Sequence, residues 1–505
     1  MQPVKPLNSS WIANLFGQSS GFIAYFLSAP LLMKLMGIDK FGVLTLLIIM
    51  PQMAVQLDFG LTTAGARAMG MYKALDQFKS MYRIHAEVLL AMSLVAAIQL
   101  FGLIYFAPRL IKFLQLDRVI DQQVLLLIMV PAACWCFLAV MNAALAIPYR
   151  AFERFRFLAV VQAISVVLFW SGAVVLAYIE AGIEKILWLG CCVALVNAGF
   201  LLAKGGDYYS LKELKELFAG RRGWLLFKFA RFSGGAFLAQ VSSLFTYHAD
   251  KFLVSALISP SAVGVYTACS NIASKLLVLV AAIAAFSFPR AVKLHSEKAT
   301  QELMDVYQRA TRACVMAAFV VGVPLAALAE PFLRLWLKDS FSSEYVSVLV
   351  LMLMGYFFSA FSVVASNVST GMGRSGWPAI FAILGGGSTL ALCLLLAPKF
   401  GVLGAVVASV IGMAQAVIFN WLVSSWFGVR LLKESILFFL NVGITAIAVY
   451  VSFSLIADQI NSWPLLFLSG GLAVLYLLSL WFLFGFISKE ERFFVLKYWN
   501  MVKWW

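Results

Sequence analysis

A chain of 505 residues that is 63% hydrophobic and 12% charged, with a mean hydropathy of +0.93, lies outside the range of water-soluble globular proteins and excludes a soluble enzyme. The net charge of +15 sits on a chain built from repeated apolar runs of about 20 residues, so it points to the anionic leaflet of a membrane and not to nucleic acid. The predicted class is an all-α polytopic membrane protein.

Runs bounded by charges, Pro or Gly predict 14 transmembrane spans, at residues 10–36, 41–66, 84–107, 122–147, 157–179, 184–203, 232–258, 263–289, 311–334, 345–370, 376–397, 402–427, 434–456 and 463–487. The first run starts near Trp11, is long, and lacks a small-residue cleavage site, so it reads as a span and not as a removable signal. With the N-terminus inside, the inner segments carry 27 of the 38 Lys and Arg residues and the outer loops 9, leaving Lys251 and Lys275 within spans. Retained cationic loops mark the cytoplasmic side, so both termini are expected there. The longest polar segment, 205–231, is basic, and its amphipathic stretch 211–218 is suited to lie along the inner surface.

All seven cysteines, Cys134, Cys136, Cys191, Cys192, Cys269, Cys314 and Cys393, fall in apolar spans, and the Cys-x-Cys and Cys-Cys pairs lack nearby His or carboxylate partners, which suits reduced structural thiols and no metal site. No Gly-x-x-x-x-Gly-Lys-Ser/Thr loop is present to cradle a nucleotide, and no cofactor is implied.

An offset of 222 residues pairs Gln18 with Gln240, Tyr25 with Tyr247, Gly42 with Gly264, Val43 with Val265 and Thr45 with Thr267. Six spans separate the copies, so both enter the membrane from the same side as a parallel repeat. The expected organisation is a lobe of spans 1–6 (1–204), a basic linker (205–231), a lobe of spans 7–12 (232–427), and spans 13 and 14 with a cytoplasmic tail (428–505). Asn14, Gln18, Gly21, Tyr25 and Ser28 share one face of span 1; Gln240, Ser243, Tyr247 and Asp250 share the matching face of span 7. Two such stripes either line a central cavity or hydrogen-bond helix to helix.

Asp250 and Lys251 stand in an otherwise apolar span, where an ionisable group costs roughly 2.5–3.5 kcal/mol unless it faces a protein or water-filled interior. Lys251 lies close enough to the outer end to snorkel or to pair with Asp250. Lys275 is deeper, one helical turn after Asn271. Arg67 and Arg290 lie near inner ends, and Arg309 and Arg312 at the start of span 9, where anchoring and anion collection compete as explanations. His85 and His295 are expected to be solvated at cytoplasmic ends, and His248 to pack or to relay protons. Asp58 ends the apolar run of span 2, too far from Arg67 for a direct helical pair.

The stretch from Asp250 to Cys269, an Asp followed by apolar residues and then by Val263, Gly264, Tyr266 and Ala268, resembles the seventh-span signature of bacterial polysaccharide flippases. Segments 35–44, 57–61 with Arg67, and 400–409 resemble the same family, so the likeness touches spans 1, 2, 7, 8, 11 and 12. The resemblance implies a member of the multidrug/oligosaccharidyl-lipid/polysaccharide exporter superfamily, of the O-antigen type. It implies translocation of undecaprenyl-pyrophosphate-linked oligosaccharide across the bacterial inner membrane by alternating access, with no enzymatic step. The cargo carries a sugar and a pyrophosphate past the bilayer core, which calls for a hydrated cationic cavity. Lys275, Lys251, Arg67, Arg290, Arg309 and Arg312 are the candidate ligands for it, and Asp250 the candidate group for coupling to H+ or Na+. Membrane lipids and a polysaccharide polymerase are the further partners implied. Two other readings stay open: a multidrug cation antiporter of the same superfamily, whose cavity would be acidic and aromatic, and a non-transporting scaffold for glycan assembly.

Overall fold

The computed structural model describes residues 8–205, 248–427 and 433–484, with residues 225, 237, 240, 241 and 244; side chains are described from residue 20 of the first helix and from residue 440 after the last gap. The basic linker with its amphipathic stretch, most of span 7 and the C-terminal tail lie outside the described residues, as do Ser243, Tyr247 and the side chains of Asn14 and Gln18. Among the described residues the secondary structure is helical, without strands. Ten helices there are long and apolar enough to cross a membrane, and two shorter apolar stretches, Ser20–Met36 and Leu440–Ser454, accompany them. A bilayer offers no water to backbone polar groups, so helices that satisfy them internally are the expected solution.

The contacts divide the chain into two compact units, one of Met1–Thr267 with Cys393–Val402 and one of Ala268–Leu392 with Leu403–Trp505. The first contains α1 (Asn8–Met36), α2 (Ile38–Gln56), α3 (Leu61–Ala74), α4 (Phe78–Phe113), α5 (Gln122–Leu145), α6 (Ile147–Ala151), α7 (Phe155–Tyr178), α8 (Gly182–Lys204) and α9 (Ala249–Leu257). Within it α5 packs against α2, α4 and α8, and α7 against α1 and α8. One side of α7 (Val160, Ile164, Val167, Leu168) is exposed, whereas Ala159, Ala163 and Ala173 are buried. That is the one-sided pattern of a helix with lipid on one flank and protein on the other. Residues 249–267 belong to the second copy of the sequence repeat but group by contact with the first unit. Two bonds tie α9 there: Ser255 Oγ donates to the Leu114 carbonyl at 2.6 Å, and Gln115 Nε2 to the Ala256 carbonyl at 2.6 Å.

Predicted span 2 is broken. Helix α2 ends at Gln56 and α3 starts at Leu61, with Gly60 left-handed at φ 74° between them. Asp58, fully buried, accepts from the Gly60 amide at 2.8 Å, the Thr62 amide at 2.9 Å and the Thr62 hydroxyl. It satisfies orphan donors at the start of α3, a capping role that the apolar pattern of a continuous span does not announce. Replacing Asp58 with Ala is expected to destabilise the protein by about 1–2 kcal/mol, measured as a lower unfolding midpoint in detergent.

The second unit holds α11 (Lys275–Ala284), α12 (Ser287–Ser296), α13 (Thr300–Ala327), α14 (Ala329–Leu337), α15 (Glu344–Gly371), α17 (Lys433–Ser454) and α18 (Trp463–Leu483). Helix α10 (Pro260–Ala273) begins in the first unit and ends in the second. Predicted spans 11 and 12 are joined as α16 (Gly376–Ser425), bent at Gly401, whose φ of 59° and ψ of −141° interrupt the helix. The core of the second unit forms where Val280, Ala284, Tyr307, Cys314, Val364, Val368 and Phe419 meet. The Tyr307 hydroxyl donates to Asn420 Oδ1 at 2.6 Å. Helices α17 and α18 pack through Val442, Val449, Ala473, Leu477 and Trp481, whose indole donates to Thr445 Oγ1 at 2.9 Å.

Two local expectations are corrected. Helix α13 starts at Thr300, eleven residues before predicted span 9, so Arg309 and Arg312 lie about three turns inside a helix and not at its start. His85 is not solvated: only 1% exposed, it sits within 3.4 Å of the Ala144 carbonyl, beside the fully buried Glu87 that Arg83 meets at 3.1 Å. Position near an apparent loop is a poor guide here because α4 runs from Phe78 to Phe113 and begins well before its apolar run.

Candidate functional site

Three arrangements concentrate polar groups in the described membrane region. The first is where the two copies of the repeat touch. The Ser261 hydroxyl donates to the Asp39 carboxylate, and these residues are equivalent under the offset of 222. A Cβ placed on Gly42 would lie 1.9 Å from the Pro260 carbonyl oxygen, and one on Gly264 would lie 3.5 Å from Gly42 Cα. Gly42 and Gly264 are themselves an equivalent pair. Residues that meet their own equivalents lie on the axis relating the copies, as in any isologous contact. These contacts join the start of α2 to the start of α10.

The second arrangement surrounds Asp250 in the first turn of α9. Asp250 and Lys251 are 5% and 6% exposed, and Lys251 Nζ lies 3.4 Å from Asp250 Oδ1. The same oxygen accepts from the Lys251 amide at 2.9 Å, and Oδ2 accepts from the Tyr266 hydroxyl at 2.6 Å. Of the two alternatives weighed for Lys251, the structure has it paired and buried beside Asp250 and not snorkelling. His248, half-buried at the N-cap of α9, presents Nδ1 without a hydrogen-bond partner among the described residues. Tyr266 belongs to the quoted motif, yet its contact with Asp250 spans a turn between helices, where no periodicity reveals it.

The third is an open cavity of about 700 Å³ in the first unit, lined by α2, α5, α6, α7 and α8. Its polar lining is Gln52, Asn142, Arg150, Gln162, Ser165 and Asn197, and Trp135, Phe169 and Trp170 form an aromatic wall. The ring centroids are 4.9 Å apart for Trp135 and Phe169 and 5.3 Å for Phe169 and Trp170. Gly190 permits that wall, since a Cβ there would come within 2.7 Å of the Trp135 indole. Gly190→Ala is expected to force the indole aside and cost about 1–3 kcal/mol, seen as an earlier midpoint in denaturant unfolding. The sequence signal for this cavity is an amide side chain within each of predicted spans 4, 5 and 6, a signal that attention to charge passes over.

The remaining predicted residues are distributed between the units. In the first, Tyr25 and Ser28 are buried against α7. Tyr25 stacks edge-on to Trp170 at 5.1 Å, and Ser28 Oγ reaches the Trp170 carbonyl at 3.5 Å. Arg67 on α3 is exposed and Gln240 half-buried. In the second unit, Lys275 opens α11 half-buried, one turn after half-buried Asn271, whose carbonyl accepts from Ser274 Oγ at 2.9 Å. Arg290 and Arg309 are exposed and Arg312 half-buried. Among the described residues no cluster of three His, Cys, Asp or Glu side chains is disposed to hold a metal ion.

A family model described as polysaccharide biosynthesis protein matches residues 31–347. The chain is 22% identical over 432 residues to the "Putative O-antigen transporter" of Shigella flexneri, across 82% of this chain and 96% of that protein. It is 25% identical over 317 residues to the "Uncharacterized membrane protein EpsK" of Bacillus subtilis (strain 168), across 61% and 62% of the two chains. Among solved structures it is similar to the lipid II flippase MurJ in an inward closed conformation, with a TM-score of 0.69 at 15% identity over 93% of this chain and 98% of that one. It is also similar to an inward-facing multidrug resistance MATE family transporter of the MOP superfamily, with a TM-score of 0.66 at 15% identity over 82% and 98%. At this identity the structural likeness is one of fold: the chain has the MATE- and MurJ-like polytopic membrane architecture.

Proposed function

This chain belongs to the polysaccharide biosynthesis protein family, and from that premise we propose that it translocates polyprenyl-pyrophosphate-linked oligosaccharide from the cytoplasmic to the periplasmic leaflet of a bacterial inner membrane. The observation that carries the transport reading is the contact between equivalent residues, Asp39 with Ser261 and Gly42 with Gly264. In the charge-derived topology that contact lies at the periplasmic end. Parallel repeats related by an axis along the membrane normal expose a site alternately by rocking one copy against the other, and a small self-complementary contact on the axis is a closure that can open and reform.

Asp250 is the proposed coupling group for H+ or Na+. Its oxygens accept from Lys251 and Tyr266, so an incoming cation or proton would compete with these donors for the carboxylate. That exchange would link occupancy to a change in α9 and α10. Lys275 is the proposed contact for the pyrophosphate, with Lys251, Arg67, Arg290, Arg309 and Arg312 as further cationic candidates and a polysaccharide polymerase as a downstream partner.

The test is translocation of a fluorescent polyprenyl-pyrophosphate saccharide in proteoliposomes. Asp250→Asn and Lys275→Ala are each expected to slow the initial rate several-fold. Wild-type rates in both variants would remove the roles assigned to these residues.

A further inference from the structure

We infer that the cavity in the first unit is a saccharide subsite, which receives sugar rings of the cargo while the phosphates stay at its Arg150 end; this rests on the flippase reading above. Its size, about 700 Å³, falls within the roughly 300–1,000 Å³ of pockets that enclose small molecules.

The lining has the chemistry of a neutral polyhydroxyl ligand. Exposed Gln52 and Gln162 and half-buried Asn197 line the cavity and make no hydrogen bonds to other described residues. Asn142 donates through Nδ2 to the Ala194 carbonyl at 2.9 Å, and its Oδ1 is buried without a partner among the described residues. Each amide offers both a donor and an acceptor, as a sugar hydroxyl does. Gln162, Ser165 and Phe169 follow one another at three and four residues along α7, so a single helix face presents amide, hydroxyl and ring. Trp135 and Trp170, half-buried and held from behind by the buried Phe169, supply flat apolar surface for the C–H faces of a pyranose.

Charge narrows the ligand further. Arg150 is the one charged side chain among the described lining residues, and no carboxylate joins it. A cationic drug would find no counter-ion there. Asp58, within electrostatic range of Arg150, has its oxygens held by the Gly60 and Thr62 donors. The guanidinium can thus accept a phosphate in its bidentate geometry.

The test uses native mass spectrometry of the full-length protein in detergent. Two probes are titrated: the oligosaccharide-linked undecaprenyl pyrophosphate extracted from the cells that encode this protein, and undecaprenyl pyrophosphate without sugar. Wild type is expected to bind the glycosylated lipid about tenfold more tightly, as a few added hydrogen bonds would give. In Gln162→Leu/Asn197→Leu that ratio is expected to fall to near one while the affinity for the sugar-free lipid is retained. Gln162→Leu alone, at a position that bonds to no described residue, keeps the measurement available if the double variant does not fold, and should lower the ratio part of the way. Equal binding of the two lipids by wild type, or a ratio unchanged in the variants, overturns the subsite while translocation in proteoliposomes still supports the flippase. Absence of both binding and translocation in wild type overturns the flippase reading itself.

Discussion

Gly42→Ala is expected to suppress translocation strongly, whereas Gly264→Ala is expected to leave most of it. The new methyl at position 42 would stand 1.9 Å from the Pro260 carbonyl oxygen, 2.6 Å from its carbon and 3.3 Å from the Ser261 amide nitrogen. These are backbone atoms at the start of α10, and they cannot rotate away as a side chain can. The methyl at position 264 would meet Phe41 at 3.3 Å, the Ile38 carbonyl at 3.4 Å and Gly42 Cα at 3.5 Å, which a shift of a few tenths of an ångström relieves. Overpacking of the severe kind costs about 1–3 kcal/mol, and a penalty of that size on one conformation changes its population roughly 5–150-fold. Initial rates in proteoliposomes measure the effect. A wild-type rate for Gly42→Ala would mean that the contact does not need to close during the cycle.

The second large effect is on stability. Asp250→Ala leaves the Lys251 ammonium buried at 6% exposure beside an apolar methyl and removes the carboxylate to which the Tyr266 hydroxyl donates. Breaking a buried pair from one side costs about 3–5 kcal/mol, because the surviving buried charge loses its carboxylate partner. Asp250→Ala/Lys251→Met removes both charges and is expected to recover most of that loss. Unfolding midpoints in detergent for wild type, the single and the double variant measure the cycle. If the double variant is no more stable than Asp250→Ala, the ion pair is not the source of the loss. Translocation should stay impaired in the recovered double variant, since the coupling carboxylate is still missing.

The cavity and the pair at Asp250 are legible in the sequence to different degrees. An ionisable residue among apolar neighbours announces itself, because the bilayer makes such a group expensive. An amide is a weaker signal: Gln162 and Asn197 each look like an ordinary interhelical hydrogen bonder, as Asn142 in fact is, until helices are seen to leave space between them. The role of Asp58 is hidden for a related reason. A pairing rule based on helix spacing assumes a continuous helix, and the chain breaks between Gln56 and Leu61, with the carboxylate closing the break. Likewise helical spacing puts Tyr25 and Ser28 on one face, but only packing shows that this face rests against Trp170.

Sequence alone determined that this protein lives in a membrane as a bundle of helices, because apolar runs of spanning length admit little else, and that several residues recur at an offset of 222. It could align Gly42 with Gly264 as equivalent positions. Only the tertiary structure decided that equivalents touch, that Asp39 and Ser261 bond, and that the polar cavity lies among α2, α5, α6, α7 and α8. Equivalence is a property of the pattern along the chain, whereas contact depends on how closely two backbones can approach, and that is set where helices cross.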